Sequence, residues 1–265
     1  SASTWTAPAA WNSGAGSNGA PRLTKVVSET GITLNGTYSS LGDINGDGLN
    51  DIVVQVGNNS AYVVFGSTTS IGKVALTALA ASSGFKITYV NKTVNTTLAS
   101  PSVVGDVNGD GFDDILFNFA DTTGSGNFLL YGGSGMSDMT LPAGVSGTAS
   151  NGFFITPANT STLSGGQVAT MSGDFNGDGY SDFVLFGYSS ATALTSYVYF
   201  GGSNLTGVNA TSLNTAGNGR GFAITGLTGG NTAFFGTNAG DVNGDGLEDM
   251  IFNDKDTRTR ITRPE

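Results

Sequence analysis

Asp43-Ile44-Asn45-Gly46-Asp47-Gly48-Leu49-Asn50-Asp51 decides the reading of this chain, because the frame D-x-N-G-D-G-x-x-D returns at 106–114, 174–182 and 241–249. Each copy follows a glycine and precedes an apolar run such as Ile52-Val53-Val54 or Ile115-Leu116-Phe117. Oxygen-bearing side chains stand at positions one, three, five and nine, with glycines at four and six. A hard cation such as Ca²⁺ gathers six to eight oxygens at about 2.3–2.6 Å, and a short loop supplies that many only by curling tightly around it. Glycine permits the curl, since it enters the positive-φ region that other residues resist. Position seven is then placed to offer its backbone carbonyl and leave its side chain for the core, while position eight points outward.

The candidate ligands follow loop by loop. They are Asp43, Asn45, Asp47, Leu49 and Asp51; Asp106, Asn108, Asp110, Phe112 and Asp114; Asp174, Asn176, Asp178, Tyr180 and Asp182; and Asp241, Asn243, Asp245, Leu247 and Asp249. The first six positions match the start of an EF-hand loop, but the Glu expected at position twelve is replaced by Val54, Phe117, Leu185 and Phe252. The flanks read as strands, so each loop joins strands. Asn-Gly and Asp-Gly alone mark turns. Four copies in one frame, each gathering three carboxylates that would otherwise repel, point instead to about four bound Ca²⁺.

Composition agrees with short strands and turns. Glycine accounts for 42 of 265 residues, proline for 6, and charged residues for only 11%. The net charge of −10 is largely the twelve loop aspartates, and four Ca²⁺ would bring it to about −2. Ten Lys and Arg spread along the chain disfavour nucleic acid, which needs clustered cations. Their one cluster is terminal: Lys255, Arg258, Arg260 and Arg263. With neither Cys nor His, disulfides and the usual zinc sites are excluded. No apolar run approaches the roughly 20 residues that span a bilayer. The chemistry suits an extracellular, secreted or cell-surface setting, where Ca²⁺ is plentiful.

The loops recur at spacings of 63, 68 and 67 residues, a period typical of propellers and arrays. Other landmarks keep step with them. An aromatic-apolar strand follows each of the first three loops (AYVVFG at 61–66, NFLLYG at 127–132, SYVYFG at 196–201), then a GF-IT strand at 84–88, 152–156 and 221–225. A Ser/Thr/Val-rich run enters the next loop. The expected fold is all-β: a single domain over 1–265 of four-stranded antiparallel blades, four repeats of about 67 residues arranged as a β-propeller. In each blade the run entering the loop is innermost, the run leaving it second, the aromatic strand third and the GF-IT strand outermost. Residues 1–30, with Trp5 and Trp11, form an N-terminal extension or part of a closing blade. Gly31-Ile32-Thr33-Leu34 reads as a reduced GF-IT strand that supplies the outer strand of the blade containing Asp241. The alternative is an open fragment of a seven-bladed ring. Thr257–Thr262 alternates like an edge strand.

These loops, with Phe65-Gly66, Tyr131-Gly132-Gly133 and Phe200-Gly201-Gly202 closing the strands after them, resemble the FG-GAP/VCBS repeats of integrin-α-type β-propellers. The resemblance covers roughly residues 31–253 and implies one Ca²⁺ per loop. It implies extracellular binding, so the leading expectation is a calcium-stabilised adhesion or ligand-binding module of a bacterial secreted or surface protein. Its partner would be a glycan or protein on another surface. One alternative is a structural spacer beside other domains; another is a carbohydrate-active lyase or hydrolase on a propeller scaffold. An enzyme is not expected: the acids outside the ligand set, Glu29, Asp113, Asp121, Asp138, Glu248, Asp254, Asp256 and Glu265, form no recognisable acid–base pair.

Overall fold

The computed structural model describes residues 25–27, 34–57, 59–68, 73–89, 101–121, 124–141, 148–149, 151–156, 171–185, 194–205, 208–209, 213, 219–227, 236–253 and 259–262. It is all-β, with almost no helix among these residues beyond a short 3₁₀ turn at Leu76–Ala78.

Three four-stranded antiparallel meanders carry the first three loops, in the strand order expected. The first runs Leu34–Gly42, Asp51–Val56, Ser60–Val64, Gly84–Tyr89. In the second the order is Ser102–Gly105, Asp114–Asp121, Gly124–Leu130, Gly152–Thr156. The third consists of Ser172–Gly173, Asp182–Leu185, Leu194–Tyr199 and Gly221–Leu227. The fourth sheet has three strands among the described residues, Gly236–Gly240, Asp249–Asn253 and Thr259–Thr262. Each loop is therefore the hairpin between the incoming and outgoing strands of its sheet. The alternating Thr259–Thr262 segment serves as a third strand without the aromatic signature of its counterparts.

The sheets stack in series. Val53, Val63, Phe85 and Ile87 of the first pack against Ile115, Phe117, Phe128 and Leu130 of the second. Leu116, Leu129 and Phe153 on the opposite face of the second sheet meet Phe183 and Tyr199 of the third. Val184 and Val198 of the third then face Met250 and Phe252 of the fourth. Successive residues of a strand point to opposite faces, so a sheet buried on both sides needs the unbroken apolar runs that follow each loop. Phe128 is fully buried, and Phe65, Tyr131, Tyr197 and Phe200 are partly buried against these clusters. Each buried side chain of this size contributes about 1.5–3 kcal/mol by leaving water.

Closure through Gly31–Leu34 does not fit. Leu34 begins the incoming strand of the first sheet, opposite Val56, and Gly31 to Thr33 lie outside the described residues. Among the described residues no strand of the fourth sheet pairs with the first. The physical reason is proximity: Leu34 continues directly into the hairpin that ends at Asp43, and strand-to-loop continuity overrides a resemblance in composition. Short parallel strands, which the sequence did not announce, add to the meanders. Met139–Leu141 lies beside Gly84–Tyr89, Val208–Asn209 beside Gly152–Thr156, and Lys73–Ala75 beside Lys25–Val27.

Candidate metal loops

All four nine-residue loops fold on the same internal hydrogen bonds. In the second, Asp106 Oδ1 accepts from the N–H groups of Gly109 (2.6 Å) and Asp110 (3.0 Å), and its Oδ2 accepts from Gly111 (2.8 Å). Asp43, Asp174 and Asp241 take the same three donors in their loops. Asn108 Oδ1 accepts from the Asp110 N–H (3.0 Å) and Asp110 Oδ1 from that of Phe112 (3.1 Å), again as in the other copies. Short Asx side chains folding back on nearby N–H groups are what Asp and Asn offer a turn. Gly109 and Gly111 complete it at φ of 76° and 89°, a region where an L side chain is strained.

Position nine is an anchor. Asp114 Oδ2 accepts from Val107 N–H (3.0 Å) and Oδ1 from Gly132 N–H (2.9 Å), so one carboxyl group ties the start of the loop to the end of the third strand. Asp51 joins Ile44 to Gly66, and Asp182 joins Phe175 to Gly201, in the same way. Asp249 receives Val242 N–H (2.9 Å) and Asn243 Nδ2. All four side chains are buried. Burial pushes the carboxyls of Asp51, Asp114 and Asp182 up to about 6, 8 and 7, against the N–H bonds that favour the charged form. Among the described residues no Lys or Arg pairs with these three.

The donor set suits a hard divalent cation: side-chain oxygens at positions one, three and five, a carbonyl at seven, and a buried carboxyl at nine lacking a cationic partner. A bound Ca²⁺ would supply that charge, held by the twenty residues of the sequence frame. Among the described residues, no group of three or more Asp, Glu, His or Cys side chains is gathered closely enough to hold a metal ion. The Asn oxygen at position three and the carbonyl at position seven would add neutral donors to these acids.

Two expectations are corrected. The side chain at position seven packs on the neighbouring loop and not within the core clusters: a methyl group built on Gly46, Gly109 or Gly177 would strike Phe112, Tyr180 or Leu247 of the next loop. Position eight does not point outward. Asp113 Oδ2 accepts the Asp43 N–H (2.7 Å), and Asp113 N–H donates to the Asp43 carbonyl (2.9 Å). Ser181 and Glu248 donate in turn to the carbonyls of Asp106 and Asp174. The glycine before each of the first three loops makes room for these contacts: Gly42 lies against Val103 and Asp113, Gly105 against Ser181, and Gly173 against Glu248 and Asn238. Successive loops are thus locked edge to edge along one rim. The sequence did hold a signal: an apolar residue at position seven of four turn loops needs a neighbour to cover.

The other acids outside the ligand set separate likewise. Asp138 accepts the Lys86 N–H (2.8 Å), and Glu248 accepts Asn238 Nδ2 (2.7 Å). Glu29, Asp254, Asp256 and Glu265, like Trp5 and Trp11, lie outside the described residues. No protein-family model matches the chain, and no curated protein matches it.

Proposed function

We propose that this chain is a calcium-stabilised module of a secreted or surface protein, its four sheets acting as propeller-type blades of the FG-GAP/VCBS kind that hold a rigid surface for adhesion or ligand binding. The observation that carries the reading is the fourfold recurrence of one oxygen-rich loop on one hydrogen-bond pattern, with a buried carboxyl beneath it. Loops that bind only at extracellular calcium levels would stiffen the rim after export. The partner is a glycan or protein on another surface.

A second reading, a spacer between other domains, draws support from one fact. The exposed large hydrophobic side chain among the described residues is Val242, and no exposed aromatic platform accompanies it. Calorimetric titration should count about four Ca²⁺. At free calcium 100-fold above Kd each occupied loop adds about 2.7 kcal/mol, so chelation should lower the melting temperature steeply. A stoichiometry near zero, or melting indifferent to chelator, removes the calcium reading. Glycan and cell-surface binding screens in calcium then separate the two roles: retention on a defined glycan or protein supports the binding module, and none across the panel supports the spacer.

A further inference from the structure

The loop-to-loop junction has two halves, and the structure contains three complete copies of it. The trailing half belongs to the earlier loop: the glycine before it, the position-one carbonyl, the position-two side chain and the position-four glycine. The leading half belongs to the later loop and consists of the position-seven side chain with the position-eight N–H and side chain. Where the halves meet, the position-two residues Ile44, Val107 and Phe175 are fully buried.

One copy of each half is left over. At the fourth loop Val242 is 58% exposed, a methyl group added to Gly240 or Gly244 would meet nothing within 4 Å, and among the described residues the Asp241 carbonyl accepts no bond of the kind its three counterparts accept. At the first loop Asn50 is exposed, and the atoms nearest a methyl built on Gly66 belong to Leu49 and Asn50 of its own loop, whereas at Gly132 and Gly201 they include the carbonyls of Ile44 and Val107.

The strands are unmatched in the same sense. Lys73, Met139 and Val208 each lie seven residues beyond the glycine of their third strand (Gly66, Gly132, Gly201). Met139 and Val208 pair in parallel with the fourth strand of the preceding sheet, at Ile87 and Ile155. Lys73 pairs in parallel with Lys25. Lys25–Val27 therefore stands where the fourth strand of a sheet preceding the first would stand. Among the described residues the fourth sheet has no such strand, and nothing pairs with the outer edge of Thr259–Thr262.

We infer that the trailing face of the fourth repeat is a docking surface for the leading face of a second copy of this chain. In that joint Lys25–Val27 of one copy completes the fourth sheet of the other as its antiparallel fourth strand. Leu49 covers Gly244 and Val242, and the Asn50 N–H reaches the Asp241 carbonyl. Such a contact is heterologous, one patch against a different one. An exposed edge strand beside an apolar side chain is the kind of surface that recruits it. The inference rests on the junction geometry and not on calcium occupancy, so it stands or falls apart from the proposed function.

Sedimentation velocity of the full chain in calcium, across a range of concentrations, tests it. The wild type should associate with rising concentration, and Val242→Glu and Asn50→Arg should each weaken association by at least about tenfold. Both side chains lie at free faces, and unchanged melting curves would confirm folding. Each variant keeps one intact face, so a mixture of the two should form a one-to-one dimer that neither forms alone. A wild type that stays monomeric at every concentration would overturn the inference, whether its faces remain free or close on each other within one chain, as a Leu49→Cys/Gly244→Cys pair cross-linking inside the monomer would show. Association that survives both substitutions, or a mixture that stays monomeric, would overturn it too.

Discussion

The loops at 106–114 and 241–249 share seven of nine residues, fold on nearly the same hydrogen bonds, and differ in what they touch. Val107 is fully buried beneath the third repeat, whereas Val242, at the same position, faces solvent. The local motif thus specifies the curl of the loop, and burial of its second residue is decided by a neighbour one whole repeat away. Loops one to three and loop four are an internal control for separating the two.

The largest contrast expected is at position two. Phe175→Ala empties a fully buried site between the third and fourth repeats and should cost about 3–5 kcal/mol. Val242→Ala should stay within about 0.5 kcal/mol, as surface changes do. Chemical denaturation of both in calcium measures the difference; equal losses would mean that the fourth loop is covered in solution.

Acidity should reveal the buried anchors once calcium is removed. An acid whose folded pKa is raised binds its proton more tightly in the folded state, so its stabilisation is complete below about pH 4. That stabilisation disappears as pH rises through about 6 for Asp51, 7 for Asp182 and 8 for Asp114, in each case because burial penalises the charged form. In chelator the protein should melt several degrees higher at pH 5 than at pH 8.5. In saturating calcium the order should reverse, because cation and proton compete for the same carboxyls. Scanning calorimetry in the two buffers decides it, and a chelated protein more stable at pH 8.5 would contradict it.

At position four the comparison isolates crowding from backbone strain. Gly109 and Gly244 have almost the same positive φ, so alanine at either costs about 1–2 kcal/mol of backbone strain. Only at Gly109 would the new methyl strike the Tyr180 ring, which adds about 1–3 kcal/mol of overpacking. Gly109→Ala should therefore unfold at distinctly lower denaturant than Gly244→Ala. Matching midpoints would place the second and third loops further apart than the geometry has them.

What could be read in the sequence follows the same division. The hairpin loops, the outgoing apolar strands and the strand order of the first three sheets were legible because a nine-residue frame and an alternating run carry them locally. The fate of Leu34 was not, since its composition suits an outer strand as well as the incoming one, and only continuity with Asp43 chooses. Lys25–Val27 and the short parallel strands escaped because two or three residues hold too little pattern to stand out. Position seven reads as a core residue and position eight as an outward one because nothing within nine residues names a partner some 65 residues away. The glycine before each loop was visible throughout, and its purpose became clear only with Asp113, Ser181 and Glu248 packed against it.

Position eight gives the smallest and most discriminating test. The Asp113 carboxylate accepts the Asp43 N–H at 2.7 Å, which counts in its favour. Against it, burial foremost and then the negative charges of Asp43 and Asp106 push its pKa up, so its charge is held at some cost. Asp113→Ala strands the Asp43 N–H, a loss of about 1–3 kcal/mol for a buried donor, less here because the site is only half-buried and the repulsion is relieved. A net loss near 1 kcal/mol is expected. Asp113→Asn keeps an acceptor oxygen and discards the charge, so it should equal or slightly exceed the wild type. Asn50→Ala, at the same position on the free face of the first loop, should change stability by less than about 0.5 kcal/mol. Denaturant midpoints for the three variants rank them. If Asp113→Asn falls as far as Asp113→Ala, the charge itself is needed, and position eight belongs with the proposed calcium ligands and not with the junction.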